Sequence, residues 1–76
     1  MLQYEIWQVY SYESRNDHAP LRVGKCMTEK EAIREAKKRL DDYPDELIVI
    51  EYFRSSDGQT LYMDLDGNYS SSMIYF

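Results

Sequence analysis

Seventy-six residues, 43% of them apolar, with eight Tyr, two Phe, one Trp and a net charge of −5, describe one small folded domain spanning 1–76. The aromatic content excludes a disordered chain, and the length allows only a thin core. A single Cys excludes an internal disulfide, and no apolar run of about 18 residues is present to cross a membrane.

Residues 2–12 (LQYEIWQVYSY) are rich in Tyr, Ile, Val and Trp and predict a strand. Leu2, Tyr4 and Ile6 fall on one side, Trp7 and Val9 on the other. Two-sided apolarity predicts an interior strand or a bulge near Ile6-Trp7. The first five residues lack the basic start and apolar stretch of a secretory leader, so a cytoplasmic protein is expected.

Residues 13–20 are polar, end in Pro20 and read as a loop. Leu21 to Met27 predicts a short second strand, with Gly24 marking a bulge or a tight turn. Thr28 with Glu31 three residues later is a capping-box pattern, and Ala32, Ile33, Ala36 and Leu40 then recur at helical spacing. Pro44 ends this helix near Asp41 or Asp42, and Glu35 and Arg39 are spaced for an i,i+4 pair.

Residues 46–55 (ELIVIEYFRS) form the strongest predicted strand, followed by Asp57-Gly58, a favoured two-residue hairpin turn. Residues 59–65 alternate well. Asp66-Gly67 offers a second turn, and 69–76, with Ser70-Ser71-Ser72, reads as an edge strand. The expected fold is therefore α+β: an antiparallel sheet of four to five strands with one helix on one face, in the order β-(β)-α-β-β-β.

A two-residue turn at Asp57-Gly58 pairs Ser56 with Gln59. Ile48, Ile50 and Tyr52 then share an apolar face with Leu61, Met63 and Leu65, where the helix packs. The opposite face carries Leu47, Val49, Phe53 and Tyr62, with Glu51 directly across from Asp64. A second two-residue turn adds Tyr69, Met73 and Tyr75 to it; a three-residue turn with a bulge moves them to the core side. One helix cannot cover both sides of the sheet. The far side is expected to meet a second copy or another protein through Trp7, Val49, Glu51, Phe53, Tyr62 and Asp64.

Chemistry is sparse. Asp64-Leu65-Asp66-Gly67-Asn68 has oxygen ligands at alternate positions, but the sixth and twelfth positions of a calcium loop fall on Tyr69 and Tyr75, so a hairpin turn explains it. Cys26 lies just before the helix N-terminus, a place that lowers a thiol pKa, yet no pattern ties His18, the one His, to it. No phosphate-cradling glycine loop, zinc motif or nucleophile elbow occurs. No catalytic residue, metal or cofactor is expected.

Charge is uneven. Residues 1–40 carry eight basic and six acidic side chains, a net of +2, while 41–76 carry Arg54 alone against eight acids, a net of −7. The acidic half suits a basic protein surface. The expected function is non-catalytic protein binding, as a homodimer or as a small acidic adaptor or inhibitor. The alternative is single-stranded nucleic-acid or regulatory binding through a helix stripe of Lys30, Arg34, Lys37 and Lys38 with the sheet aromatics. The overall charge has the wrong sign for it.

Overall fold

The computed structural model describes residues 3–76. Its elements in chain order are β1 (Glu5–Tyr12), β2 (Leu21–Cys26), α1 (Glu29–Asp42), β3 (Leu47–Arg54), β4 (Gln59–Met63) and β5 (Tyr69–Ser70). The strands form one antiparallel sheet in the order β2-β1-β3-β4-β5. This is the predicted α+β arrangement. Leu2, expected on the face of Tyr4 and Ile6, lies outside the described residues.

Local chemistry explains α1. The Thr28 hydroxyl accepts a hydrogen bond from the Glu31 backbone N–H at 3.2 Å, satisfying one of the helix's orphan donors. Glu29 and Glu31 in the first turn and Arg39 in the last complement the helix dipole. Ala32 and Ala36 bury the helix stripe against Val9, Ile48, Ile50 and Met63, with Ile33 and Leu40 alongside. The small alanines let the helix lie close to the sheet. Arg39 does not pair with Glu35 as its spacing suggests. It forms an ion pair with Glu46 at 2.8 Å, because the chain turns back just past the helix and brings Glu46 beside it.

β1 and β3 lie side by side at the middle of the sheet and pair over eight positions, from Glu5–Arg54 to Tyr12–Leu47. The predicted interior strand is therefore present in β1. The irregularity lies further along than Ile6-Trp7: β2 pairs Gly24 with Val9 and Arg22 with Tyr10, leaving Val23 as the extra residue. Gly24 thus sits next to the bulge.

The β3–β4 hairpin is wider than predicted. Arg54 pairs with Gln59, so residues 55–58 form a four-residue loop and the register moves by two. Asp57 causes this. Its carboxylate accepts from the Gln59 backbone N–H at 3.1 Å and from both Nε and an Nη of Arg54, a local bracing that replaces a tight turn. Ser55 stays bound to β1, its backbone N–H donating to the Tyr4 carbonyl at 2.9 Å. A shift of two preserves face assignment, since side chains alternate with period two.

The second turn is also longer. Met63 pairs with Tyr69, and residues 64–68 form the loop. The last strand is two residues, not eight. The chain then bends back, and Phe76 exchanges both backbone hydrogen bonds with Ile48, at 2.7 and 3.0 Å, alongside the part of β3 that β4 does not reach.

Ile48, wholly buried on the helix side, tests where the core lies. Ile48→Ala should cost about 3 kcal/mol and Thr28→Ala about 1 kcal/mol, read by urea denaturation. A loss under about 1 kcal/mol for Ile48→Ala would place the core elsewhere.

Candidate interaction face

The β1–β3 ladder sorts the aromatic side chains between two environments. On the helix side Trp7 stands opposite Tyr52, their ring centroids 5.0 Å apart, and Tyr69 packs on Tyr52 at 5.1 Å. Trp7, expected at the interface, is 6% exposed and belongs to the core. Pairing with β3, which the local sequence does not encode, puts it on the side of Tyr52. The Trp7 indole N–H donates to the Tyr69 hydroxyl, which donates to Glu29, while the Tyr52 hydroxyl donates to Glu5. Burial, then Glu29, raises the Tyr69 pKa; burial, then Glu5, raises that of Tyr52. Glu5, Arg54, Leu61 and these rings border a cavity of about 410 Å³. Its carboxylates are already engaged by the phenols, and Arg54 by Asp57.

The far side is built from Ile6, Gln8, Tyr10 and Tyr12 of β1, Leu47, Val49, Glu51 and Phe53 of β3, and Tyr62 of β4. Tyr4 extends it at one end, its ring 5.9 Å from Phe53. Tyr75 extends it at the other, edge-on to Tyr12 at 5.5 Å, with the Arg15 guanidinium 5.4 Å from the centre of the Tyr75 ring. Ile6 and Val49 are buried yet absent from the cluster under α1. Their neighbours on this same face cover them. Val49 lies on the predicted side but at 1% exposure is its floor rather than a contact. Tyr10, Tyr12, Glu51, Phe53, Tyr62 and Tyr75 are half-exposed.

Glu51 occupies the middle of this surface, on the central strand, with Gln8 across from it on one side and Tyr62 on the other. The expected Glu51–Asp64 pair is not formed. The wider hairpin opposes Glu51 to Tyr62, and Asp64 falls in the loop after β4, where its carboxylate accepts from the backbone N–H groups of Asp66 and Asn68, each at 2.9 Å. The Asn68 contact foremost holds the Asp64 pKa below the usual range. Asp64 is therefore a turn-forming residue, not part of the face. Glu51, by contrast, has no ion pair and no side-chain hydrogen bond among the described residues. Burial, and then the Glu51 charge, raise the Tyr10 pKa; for Tyr12 burial leads, followed by Tyr75 and Glu51.

Tyr10 and Tyr12 were legible only as alternating with Ile6; without knowing β1's neighbour, nothing placed them beside Phe53. Tyr69 and Tyr75 separate, the first to the helix side and the second to the far side, because the long loop and the returning tail break one continuous strand into two pieces. Met73 is exposed beyond β5.

Other expected features fall elsewhere. Lys30, Arg34, Lys37 and Lys38 line a groove of about 470 Å³ along α1 with Ile33 and Asp41. The helix lies on the opposite side of the sheet from Tyr10, Phe53 and Tyr62, so the basic stripe and those aromatics do not share a surface. Cys26 is buried across from Trp7, and burial followed by the nearby Glu35 raises its pKa rather than lowering it. His18 is exposed in the loop after β1. Among the described residues no three His, Cys, Asp or Glu side chains converge, and no helix is long and apolar enough to cross a membrane.

One end of the sheet carries a polar brace. The Ser11 hydroxyl and Arg39 both donate to Glu46, and the Arg39 guanidinium stacks 3.9 Å from the Tyr43 ring centre. The Ser11 hydrogen bond, ahead of Arg39, lowers the Glu46 pKa.

No protein-family model, curated protein or solved structure matches the chain.

Because Glu46 releases its proton more readily when folded, its contribution to stability is complete above the ordinary carboxyl pKa. That contribution disappears as pH falls through the lowered value. Glu46→Gln should melt below the wild-type protein at about pH 7, with the gap closing as the pH falls through the lowered value. A gap that persists in acid would assign the loss to packing rather than charge.

Proposed function

We propose that the chain is a non-catalytic protein-binding module whose contact is the sheet face opposite α1. The observation that carries this reading is the row of half-exposed aromatics, Tyr10, Tyr12, Phe53, Tyr62 and Tyr75, on a side that the single helix leaves open. Tyrosine suits such a contact: its ring supplies apolar area at small conformational cost, and its hydroxyl stays wet.

Dimensions bear on the occupant. Strands of eight, six, eight, five and two residues, spaced about 4.8 Å apart with a rise of about 3.3 Å per residue, give a face of roughly 460 Å² in projection. That lies within the range of the largest patches monomers leave open. It falls below the about 800 Å² per partner of a standard stable interface. A segment or single element of a partner fits it better than a second whole domain. Charge points the same way, since an isologous dimer through this face juxtaposes two copies of Glu51 and two chains of charge −5. The acidic C-terminal half favours a basic protein surface as the partner, in an adaptor or inhibitor role. A single buried thiol suits the reducing cytoplasm, where we place the protein.

Phe53→Glu and Tyr62→Glu put charge on the far face while leaving the helix-side core in place. Both variants should retain the wild-type circular dichroism spectrum and lose at least about tenfold in affinity for the physiological partner. Affinity capture with the wild-type and variant chains in parallel, followed by titration of the captured protein, provides the measurement. Light scattering at micromolar concentration reads self-association. Unchanged partner set, affinity and mass in both variants would remove this face as the contact.

A further inference from the structure

We propose that the far face recognises an arginine side chain presented by a segment of the partner protein, with Glu51 receiving the guanidinium amid Tyr10, Tyr12 and Tyr62. This rests on the reading of that face as a protein contact and adds what the occupant must present there.

Position is the first argument. Glu51 lies on the central strand, and a row across the sheet runs Lys25, Gln8, Glu51, Tyr62, Ser70. A half-buried carboxylate set among rings loses hydration on its apolar sides, and among the described residues no cation pairs with it. Lys25 is two strand spacings away, about 10 Å. Arg22, on the same face, donates to the Gln8 side-chain oxygen at 3.2 Å, and Arg54 is held by Asp57. Glu46 is engaged by Arg39 and Ser11, Asp64 by its own turn, and Glu5 and Glu29 by phenols, while the half-buried Glu31 and Glu35 lie on α1, on the other side of the sheet from these rings.

The surface also displays the recognition mode. Arg15 already lies over the Tyr75 ring at the edge of the same face, a guanidinium against a phenol whose other contact is Tyr12. The centre offers more than that edge does, since it combines rings with a carboxylate. A guanidinium satisfies both at once: it is planar and weakly hydrated, it stacks on aromatic faces, and it donates two parallel N–H groups to a carboxylate. Ammonium, more strongly hydrated and without a planar face, gains less. A second copy is a poorer occupant, because it brings a carboxylate to the position that calls for a cation.

A tri-arginine peptide titrated into the uniformly ¹⁵N-labelled full chain tests this, with tri-citrulline as the uncharged isostere and tri-lysine as the ammonium control. Saturable amide shifts should centre on Glu51, Tyr10, Tyr12 and Tyr62, be absent with citrulline and be weaker with lysine. Glu51→Gln should reduce arginine affinity at least about fivefold, while Asp45→Asn, the same charge change at an exposed turn, should alter it less than twofold. Equal losses in the two variants would show a diffuse acid effect and overturn the proposal. So would shifts centred on the Asp57 or Asp64 loops. A Glu51→Gln chain that aggregates yet keeps its arginine affinity would make Glu51 a guard against sheet stacking, which overturns it as well. If the arginine response fails while Phe53→Glu and Tyr62→Glu still abolish partner binding, the face stands and its arginine preference falls. If those two substitutions change nothing, the contact itself falls, and the partner segment with it.

Discussion

An eight-position antiparallel ladder between β1 and β3 governs the rest of the molecule. It joins segments about forty residues apart and fixes, for every side chain on both strands, whether it meets the helix or the open side. Once Trp7 stands across from Tyr52, Val9 and Ile50 are committed to the helix side and Tyr10, Tyr12 and Phe53 to the other. The chain supplies a single helix, so only one of these sets receives a cover. The aromatic surface follows from that imbalance rather than from any local motif.

The two sides satisfy their polar groups differently. Beneath the helix every buried aromatic with a polar atom has a partner: indole to phenol, phenol to carboxylate. The open side leaves its central carboxylate without one, although Gln8 beside it accepts from both Tyr10 and Arg22. Fully buried polar groups are ordinarily matched, whereas the half-buried Glu51 keeps contact with water. What sets Glu51 apart from the chain's other unpartnered carboxylates is its setting at the centre of the aromatic face, and it is this setting that the proposed contact draws on.

Much of this was legible in the residues. Helix α1 announced itself through Thr28, Glu31 and the Ala32–Ala36 stripe, and its end through Pro44. The inner face of the β3–β4 hairpin was right although the turn was not, because Asp57 lengthened it by an even step and alternation survives even steps. The Glu51–Asp64 pairing did not survive, because opposition depends on register where face does not. Side-chain bracing by Asp57 and Asp64 widened both turns, and a two-residue pattern such as Asp-Gly does not disclose which neighbours the Asp carboxylate will hold. Trp7 was misplaced for a deeper reason: a strand apolar on both sides carries no mark of which side the helix will take. That choice is made by β3, far along the chain.

The placement of the one tryptophan has a practical corollary. Its indole is sealed under the helix, hydrogen-bonded to Tyr69 and stacked near Tyr52, with the thickness of the sheet between it and the open tyrosines. Its fluorescence therefore monitors whether the helix remains seated, and it is insulated from events on the other side. The molecule carries an optical gauge of its own integrity, so fluorescence quenching by a ligand would signal a reorganised core or occupation of the cavity beside Trp7 rather than occupation of the open face.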